Sequence, residues 1–242
     1  MQPEIAHARV PDSSLTETDP PLSYPDYVGT RLRAPKDPLV VLPSSLSELT
    51  GPVYGDRPLS ETDADLTSQH AGVPLGQRIV VTGRVLGSDG KPLGGQLVEI
   101  WQANAAGRYD HVVDTWDAPL DPNFTGGGRC LTDDDGSYRF VSILPGAYPW
   151  KNHPTAWRPR HIHFSLVGRA FPERLVTQMY FPGDPLFPFD PIFNSVRDEG
   201  ARKRMISTFE LDLTQDHWAL GFRFDIVLGG RAATPLEEPH DD

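Results

Sequence analysis

The chain is 242 residues long and acidic, with 33 Asp and Glu against 22 Lys and Arg and a formal net charge of −11. A chain of that length buries a core without metal or disulfide staples, its charge leaves no broad basic surface for nucleic acid or an anionic membrane, and its single cysteine, Cys130, cannot close an internal disulfide. No run approaches the roughly 18–20 apolar residues of a membrane span, and the first residues lack the basic-then-apolar order of a signal peptide, so a cytoplasmic protein is expected.

The 25 prolines and 22 glycines make about a fifth of the chain against a background of about 12%, which favours short strands and turns over a helical bundle. Residues 1–75 read as an extended arm. Prolines such as Pro20, Pro21, Pro25, Pro35 and Pro38 exclude a long helix. The islands Tyr24-Pro-Asp-Tyr27 and Leu39-Val-Val-Leu42 are too apolar for a purely solvated tail, so the arm is expected to form an interface with its own domain or with another chain. The alternative is a disordered leader. Ser60-Glu-Thr-Asp-Ala-Asp-Leu66 is at most a short acidic helical turn.

From residue 76 to 242 the pattern is that of strands. The run beginning Arg78-Ile-Val-Val-Thr and the run Gln96-Leu-Val-Glu-Ile-Trp101 flank Ser88-Asp-Gly-Lys-Pro92, and read as an antiparallel pair across an Asp-Gly turn. Cys130-Leu-Thr132 and Ser137-Tyr-Arg-Phe-Val141 repeat the device around Asp135-Gly136. Three more strands are expected at 161–167, 175–181 and 222–228. Only residues 195–209, with Val196, Met205 and Ile206 in a charged frame, read as a proper helix. The expected fold is all-β: an antiparallel β-sandwich with an extended proline-rich N-terminal arm and at most one or two short helices.

His161-Ile162-His163 lies within an apolar run. Strand side chains alternate, so both imidazoles fall on one face and can converge on one ion. Arg158 and Arg160, immediately upstream, favour the neutral imidazoles that a metal needs. A cupin-like site wants a carboxylate a few residues on, and the next here is Glu173. A 2-His-1-carboxylate site needs a distant acid brought in by folding, such as Asp110, Asp114 or Asp184. Tyr109 and Tyr148 sit in turn-rich segments. A phenol with a pKa near 10 is a poor ligand at neutral pH, but a hard trivalent cation stabilises the phenolate. Two phenolates and one hydroxide neutralise Fe³⁺, and two imidazoles complete the site. Taken singly, each tyrosine reads as a packed aromatic with a hydrogen-bonded hydroxyl.

Gly107-Arg-Tyr109, Leu120-Asp-Pro-Asn-Phe124, Pro145-Gly-Ala-Tyr-Pro-Trp150 and Trp157-Arg-Pro-Arg-His-Ile-His-Phe164 together resemble the intradiol ring-cleavage dioxygenases. Within them they are most similar to the iron-bearing β chain of the protocatechuate branch, over residues 27–231. The arm lacks the helical dimerisation segment of the catechol 1,2-dioxygenase branch. The resemblance implies a non-haem Fe(III) held by Tyr109 and His163 as equatorial ligands and by Tyr148 and His161 as axial ones, with Tyr148 giving way when a catechol chelates. It implies that Arg158 binds substrate and stabilises negative charge on the ring, that Gln178 hydrogen-bonds near the iron-bound oxygens, and that Tyr27 and Trp150 line the pocket. It also implies protocatechuate and O2 as substrates, aromatic catabolism through the β-ketoadipate pathway, and a related α-type chain as hetero-oligomeric partner. Arg160 departs from the resembled pattern, where a smaller residue is usual. Two other readings stand beside this one: an Fe(II) or cupin-like oxygenase built on the two histidines and a distant acid, and a non-enzymatic β-sandwich binding module.

Overall fold

The computed structural model describes residues 20–21, 23–27, 34, 59–60, 62–151, 154–168 and 171–236. One sheet is built on β1 (Arg78–Gly87), with β4 (Ser137–Ile143) on one edge and β10 (Leu220–Arg223) and β11 (Ile226–Leu228) in succession along the other; β9 (Thr208–Phe209) continues beyond β10. The second sheet runs in the order β3 (Gly127–Leu131), β2 (Leu97–Trp101), β7 (His161–Gly168), β8 (Phe171–Tyr180). A two-residue ladder joins β5 (Tyr148–Pro149) to β6 (Trp157–Arg158).

Alternation sends one face of each strand into a shared core. Ile79, Val81 and Val85 of β1, Phe140 of β4, and Phe222 and Ile226 pack with Val98 and Ile100 of β2, Ile162, Phe164 and Leu166 of β7, and Met179 of β8. Each such side chain contributes about 1.5–3 kcal/mol on burial. The odd-numbered residues at the start of β7, His161 and His163, are thereby turned to the other face.

The two expected Asp-Gly hairpins are instead crossings between the sheets. β1 pairs with β4, β10 and β11, whereas β2 pairs with β3 and β7. After β1 the chain turns tightly, with Gly87 N donating to Lys91 O at 2.8 Å. One bridge forms, Leu86 to Pro92, and Gly95 at φ +68° redirects the chain into the other sheet. The turn at Asp135-Gly136 makes the reverse crossing, from β3 to β4. The sandwich is also not wholly antiparallel, since β10 and β11 both run parallel to β1. The strand expected at 222–228 is split there. Phe224 N donates to Thr82 O at 2.8 Å, and the Phe224 carbonyl lies where a Cβ on Gly83 would stand, 1.8 Å away. Only glycine admits that approach.

The helix expected over 195–209 is replaced by α1 (Pro191–Ser195), α2 (Glu199–Arg204) and β9. Val196 ends α1 in an extended conformation and buries itself with Tyr180, Phe193, Ala201 and Met205, after which the Asp198 side chain caps α2 through Ala201 N. These are the α-helices of the described residues, and none is long and apolar enough to cross a membrane. Most of the 1–75 arm, including the island at 39–42, lies outside the described residues; residues 62–66 form turns and an isolated bridge, with Leu66 fully buried.

Candidate metal centre

The first residues of β7, the last of β2 and the last of β8 meet at one end of the second sheet. His163 lies opposite Trp101 of β2 and Gln178 of β8, and His161 lies opposite Tyr180. Cross-strand partners share a face, so register alone places two imidazoles, an amide and a phenol together. Residues 102–126 and residues 144–151 close over this face, and bring one tyrosine each.

The two loops touch through glycines. Gly107 has φ +78°, and a Cβ there would lie 2.2 Å from Ala147 O; Gly146 N donates to Asn104 O at 2.9 Å. Asn104, 4% exposed, organises the turn, its Oδ1 accepting from Ala106 N and Arg108 N at 2.9 and 3.0 Å. The Asp114 carboxylate accepts from Tyr109 N at 2.8 Å. The Tyr109 loop is therefore fixed by backbone contacts on both sides.

The phenols meet the imidazoles in two pairs. Tyr109 Oη lies 3.2 Å from His163 Nε2, and Tyr148 Oη lies 3.3 Å from His161 Nε2. The tyrosine rings stand edge to face at 5.4 Å and the histidine rings at 4.9 Å between centroids. His161 Nδ1 lies 2.7 Å from Pro159 O. A carbonyl only accepts, so Nδ1 carries the proton and Nε2 offers its lone pair. Trp101 stacks on His163 with planes 6° apart and fixes the plane of that ring.

Each pair has the spacing of two ligands on one hard cation. Two ligands each about 2.0–2.1 Å from a first-row metal stand about 2.8–3.4 Å apart, which is the separation of both phenol–imidazole pairs. The donor set is two potential phenolates and two imidazoles, suited to a trivalent ion rather than to zinc in a thiolate site.

The carboxylates that an Fe(II) or cupin-like site requires do not join them. Asp114 accepts from the backbone of Tyr109 and Trp116, Asp184 from Arg160 N and Leu186 N, and Asp110 is exposed. No group of three or more His, Cys, Asp or Glu able to hold a metal occurs among the described residues.

The other expected residues connect to this face through Gln178, the cross-strand partner of His163. Arg158 is 1% exposed; its Nη2 donates to Gln178 Oε1 and, at 3.2 Å, to Tyr180 Oη, and its Nε lies 3.0 Å from Asp190 Oδ1. Its Cζ stands 5.6 Å from the Trp150 ring. Trp150 meets Tyr27 edge to face at 4.7 Å, in a cluster with Ala156 and Ile192. Arg160 is exposed, and its backbone N is held by Asp184 Oδ2 at 3.1 Å. Arg158 and Arg160 point differently because β6 ends at Arg158 and β7 begins at His161, with Pro159 between. Cys130 stands apart on β3, its thiol pushed up to about 11 by burial.

Sequence reasoning missed Trp101, Asn104, Tyr180 and Asp190, and offered Asp114 only as a candidate metal ligand, not as the acceptor for Tyr109 N. Tyr180 carried a signal, being two residues beyond Gln178 and hence on its face. Asp190-Pro191 carried the cap-then-proline signature of a helix start, without indicating what the carboxylate meets.

Residues 49–230 match the family model described as Dioxygenase, and residues 17–45 match that of the protocatechuate 3,4-dioxygenase beta subunit N terminal. The chain belongs to the intradiol dioxygenases. It is 59% identical to the protocatechuate 3,4-dioxygenase beta chain of Burkholderia cepacia over 220 residues, covering 90% of this chain and 93% of that one. The hydroxyquinol 1,2-dioxygenase of Rhizobium sp. (strain MTP-10005) is 31% identical over 74% of this chain and 61% of its own length. Among solved structures, the 3-chlorocatechol 1,2-dioxygenase of Rhodococcus opacus 1CP superposes with a TM-score of 0.55 at 25% identity, covering 75% of this dioxygenase and 71% of that chain. The enzyme reading therefore stands over the binding-module reading.

Proposed function

We propose that this dioxygenase cleaves protocatechuate with O2 between its two hydroxyl-bearing carbons, giving 3-carboxy-cis,cis-muconate in aromatic catabolism. The observation that supports this most is the pair of phenol–imidazole contacts, Tyr109 with His163 and Tyr148 with His161, in a chain so similar to a protocatechuate 3,4-dioxygenase beta chain. Those four side chains would hold a non-haem Fe(III). Bound there, it supplies a Lewis acid that favours the catecholate and draws electron density from the ring, so that the substrate rather than O2 is activated.

The protein's own groups do the rest. Tyr148, as phenolate, would take one catechol proton at Oη, while Tyr109 would keep its proton-free phenolate toward the metal. The Arg158 guanidinium, nearly excluded from water, stabilises negative charge as it develops on the ring. Gln178 has its acceptor Oε1 engaged by Arg158 and Tyr180, so its contribution toward a bound oxygen is the Nε2 donor. Trp150, Tyr27 and Ile192 wall the pocket and exclude water, with Tyr27 toward the substrate carboxylate.

The finer expectations join this reading: a cytoplasmic enzyme, residues 1–75 as an interface-forming arm on a 76–242 catalytic domain, and a related α-type chain as partner. The beta-chain relative supports the partner. The test is direct. Protein produced together with an adjacent α-type chain should form a red-brown, high-mass complex that consumes equimolar O2 and protocatechuate. A colourless preparation filled with zinc or Fe(II) overturns the ferric centre, and full activity of the lone chain overturns the heteromer.

A further inference from the structure

Beside Arg158 lies a buried carboxylate that the mechanism above does not use. Asp190 is fully buried. Its Oδ1 lies 3.0 Å from Arg158 Nε and accepts from Ile192 N at 3.2 Å, while its Oδ2 accepts from Tyr180 Oη at 3.1 Å. Among the described residues, the Nε–Nη2 edge of the Arg158 fork thus meets Asp190, as an ion pair at Nε, and Gln178 and Tyr180 of β8 at Nη2. The same carboxylate caps α1, and α1 carries Ile192 against Trp150, Tyr27 and Ala156.

We propose that Asp190 is the positioning residue of the reaction: it fixes the Arg158 guanidinium at the reacting ring and, through the cap of α1, sets the pocket wall in register with it. The inference rests on the role given to Arg158 above. A guanidinium is flat and its donors have fixed directions, so its effect on a ring carbon depends on where its edge is anchored. A misplacement of 1 Å in such a group costs about a hundredfold in rate. A carboxylate is suited to the anchor because its charge pairs with the guanidinium, Oδ1 standing 3.0 Å from Nε, and it still has lone pairs for the helix N–H and the phenol. The phenol's single proton can serve Asp190 or Gln178 Oε1, 2.6 Å away, one at a time. Among the described residues, Asp190 carries the countercharge to Arg158.

The test is a double-mutant cycle in the iron-loaded assembly, read by kcat, KM, iron content and the visible tyrosinate band. Asp190→Asn should lower kcat by roughly 10–100-fold, the range for groups that support a reacting side chain, with iron and colour unchanged. In an Arg158→Ala background the same change should have no further effect on kcat, because the group being positioned is gone. Asp190→Ser keeps a cap for Ile192 N but removes the charge. It should lower kcat as Asp190→Asn does while leaving KM nearly unchanged. If Arg158→Ala leaves kcat intact, the reading of Arg158 itself falls. If Arg158→Ala is impaired but Asp190→Asn is not, or if the two losses multiply in the double variant, the role of Asp190 falls alone. Failure of both Asp190 variants to fold, with Arg158→Ala folding, would assign the carboxylate to stability and likewise overturn the inference.

Discussion

Replacing Gly107 by alanine should empty the metal centre while leaving the sandwich folded. The residue has φ +78°, and an added Cβ would stand 2.2 Å from Ala147 O and 3.3 Å from Tyr148 Cβ. The left-handed conformation costs a non-glycine residue about 1–2 kcal/mol, or about 2–8 °C of Tm for a chain of this size. The clash adds a second effect. Ordinary contact begins near 3.4 Å, so the Tyr109 and Tyr148 loops must separate by about 1 Å, far outside the tolerance of about 0.2 Å for metal–ligand distances. Iron affinity should fall by at least about 10–100-fold, with loss of the tyrosinate band. Gly90→Ala is the control: its φ is +76° but nothing lies within 4 Å of the added Cβ, so it should carry the conformational cost alone and keep its iron. Iron per chain, visible absorbance and a thermal melt on both variants decide the matter. Full iron and colour in Gly107→Ala, with a Tm equal to that of Gly90→Ala, would refute the argument that the loop contact sets the ligand geometry.

His163→Ala should lose iron and colour, whereas Arg158→Ala should keep both and lose about 10²–10³ in kcat, the scale for one preorganised charge stabiliser; metal analysis beside steady-state rates separates them, and near-normal turnover in Arg158→Ala would contradict its role. Tyr148→Phe should bind iron yet bind substrate slowly, while Tyr109→Phe should lose a tyrosinate that persists through turnover; stopped-flow spectra that match for the two variants would remove the distinction between a leaving and a staying phenolate. Burial holds the Cys130 thiol near 11 in the folded chain against an ordinary 9.0, so iodoacetamide at pH 8 should label it much more slowly in native than in urea-unfolded protein. The same shift means that stability from this group is complete below pH 9 and declines as the pH rises from 9 toward 11, since only the unfolded chain ionises in that window.

The parts of the fold legible in the sequence were those that depend on local pattern. The runs at 78–86, 96–101, 137–141, 161–167 and 175–181 became strands because alternation and β-branching are local properties. Pairing was not legible at the two Asp-Gly turns. A turn of that composition permits a hairpin but does not compel one: the ladder to β1 runs one step past Pro92, with Leu93 N donating to Val85 O at 2.9 Å, and Gly95 at φ +68° then turns the chain away. The helix at 195–209 failed for a related reason. Its apolar spacing was read as one amphipathic face, but Val196 and Met205 bury against Tyr180 and Phe193 from two separate short elements.

The four candidate donors were legible only through the family resemblance of the motifs around them; taken singly, each tyrosine reads as a packed aromatic and the two histidines leave the ion open. Their supports were not, since a support is chosen by what it touches. Trp101 is an ordinary strand-end aromatic until β2 is seen paired to β7, which lays it flat on His163 at 4.7 Å. Asp190 is an ordinary helix cap until β6 delivers Arg158 beside it. Arg158 and Arg160 show the same point within three residues. One is buried in the charge cluster and the other faces solvent, because the break at Pro159 separates two strands that a uniform alternation would have merged. The loop glycines and the chain break thus act at the level of chemistry: Gly107 lets two phenols approach each other, and Pro159 both offers its carbonyl to His161 and lets Arg158 turn inward. A substitution at either position should therefore disturb the centre more than its cost in global stability would suggest.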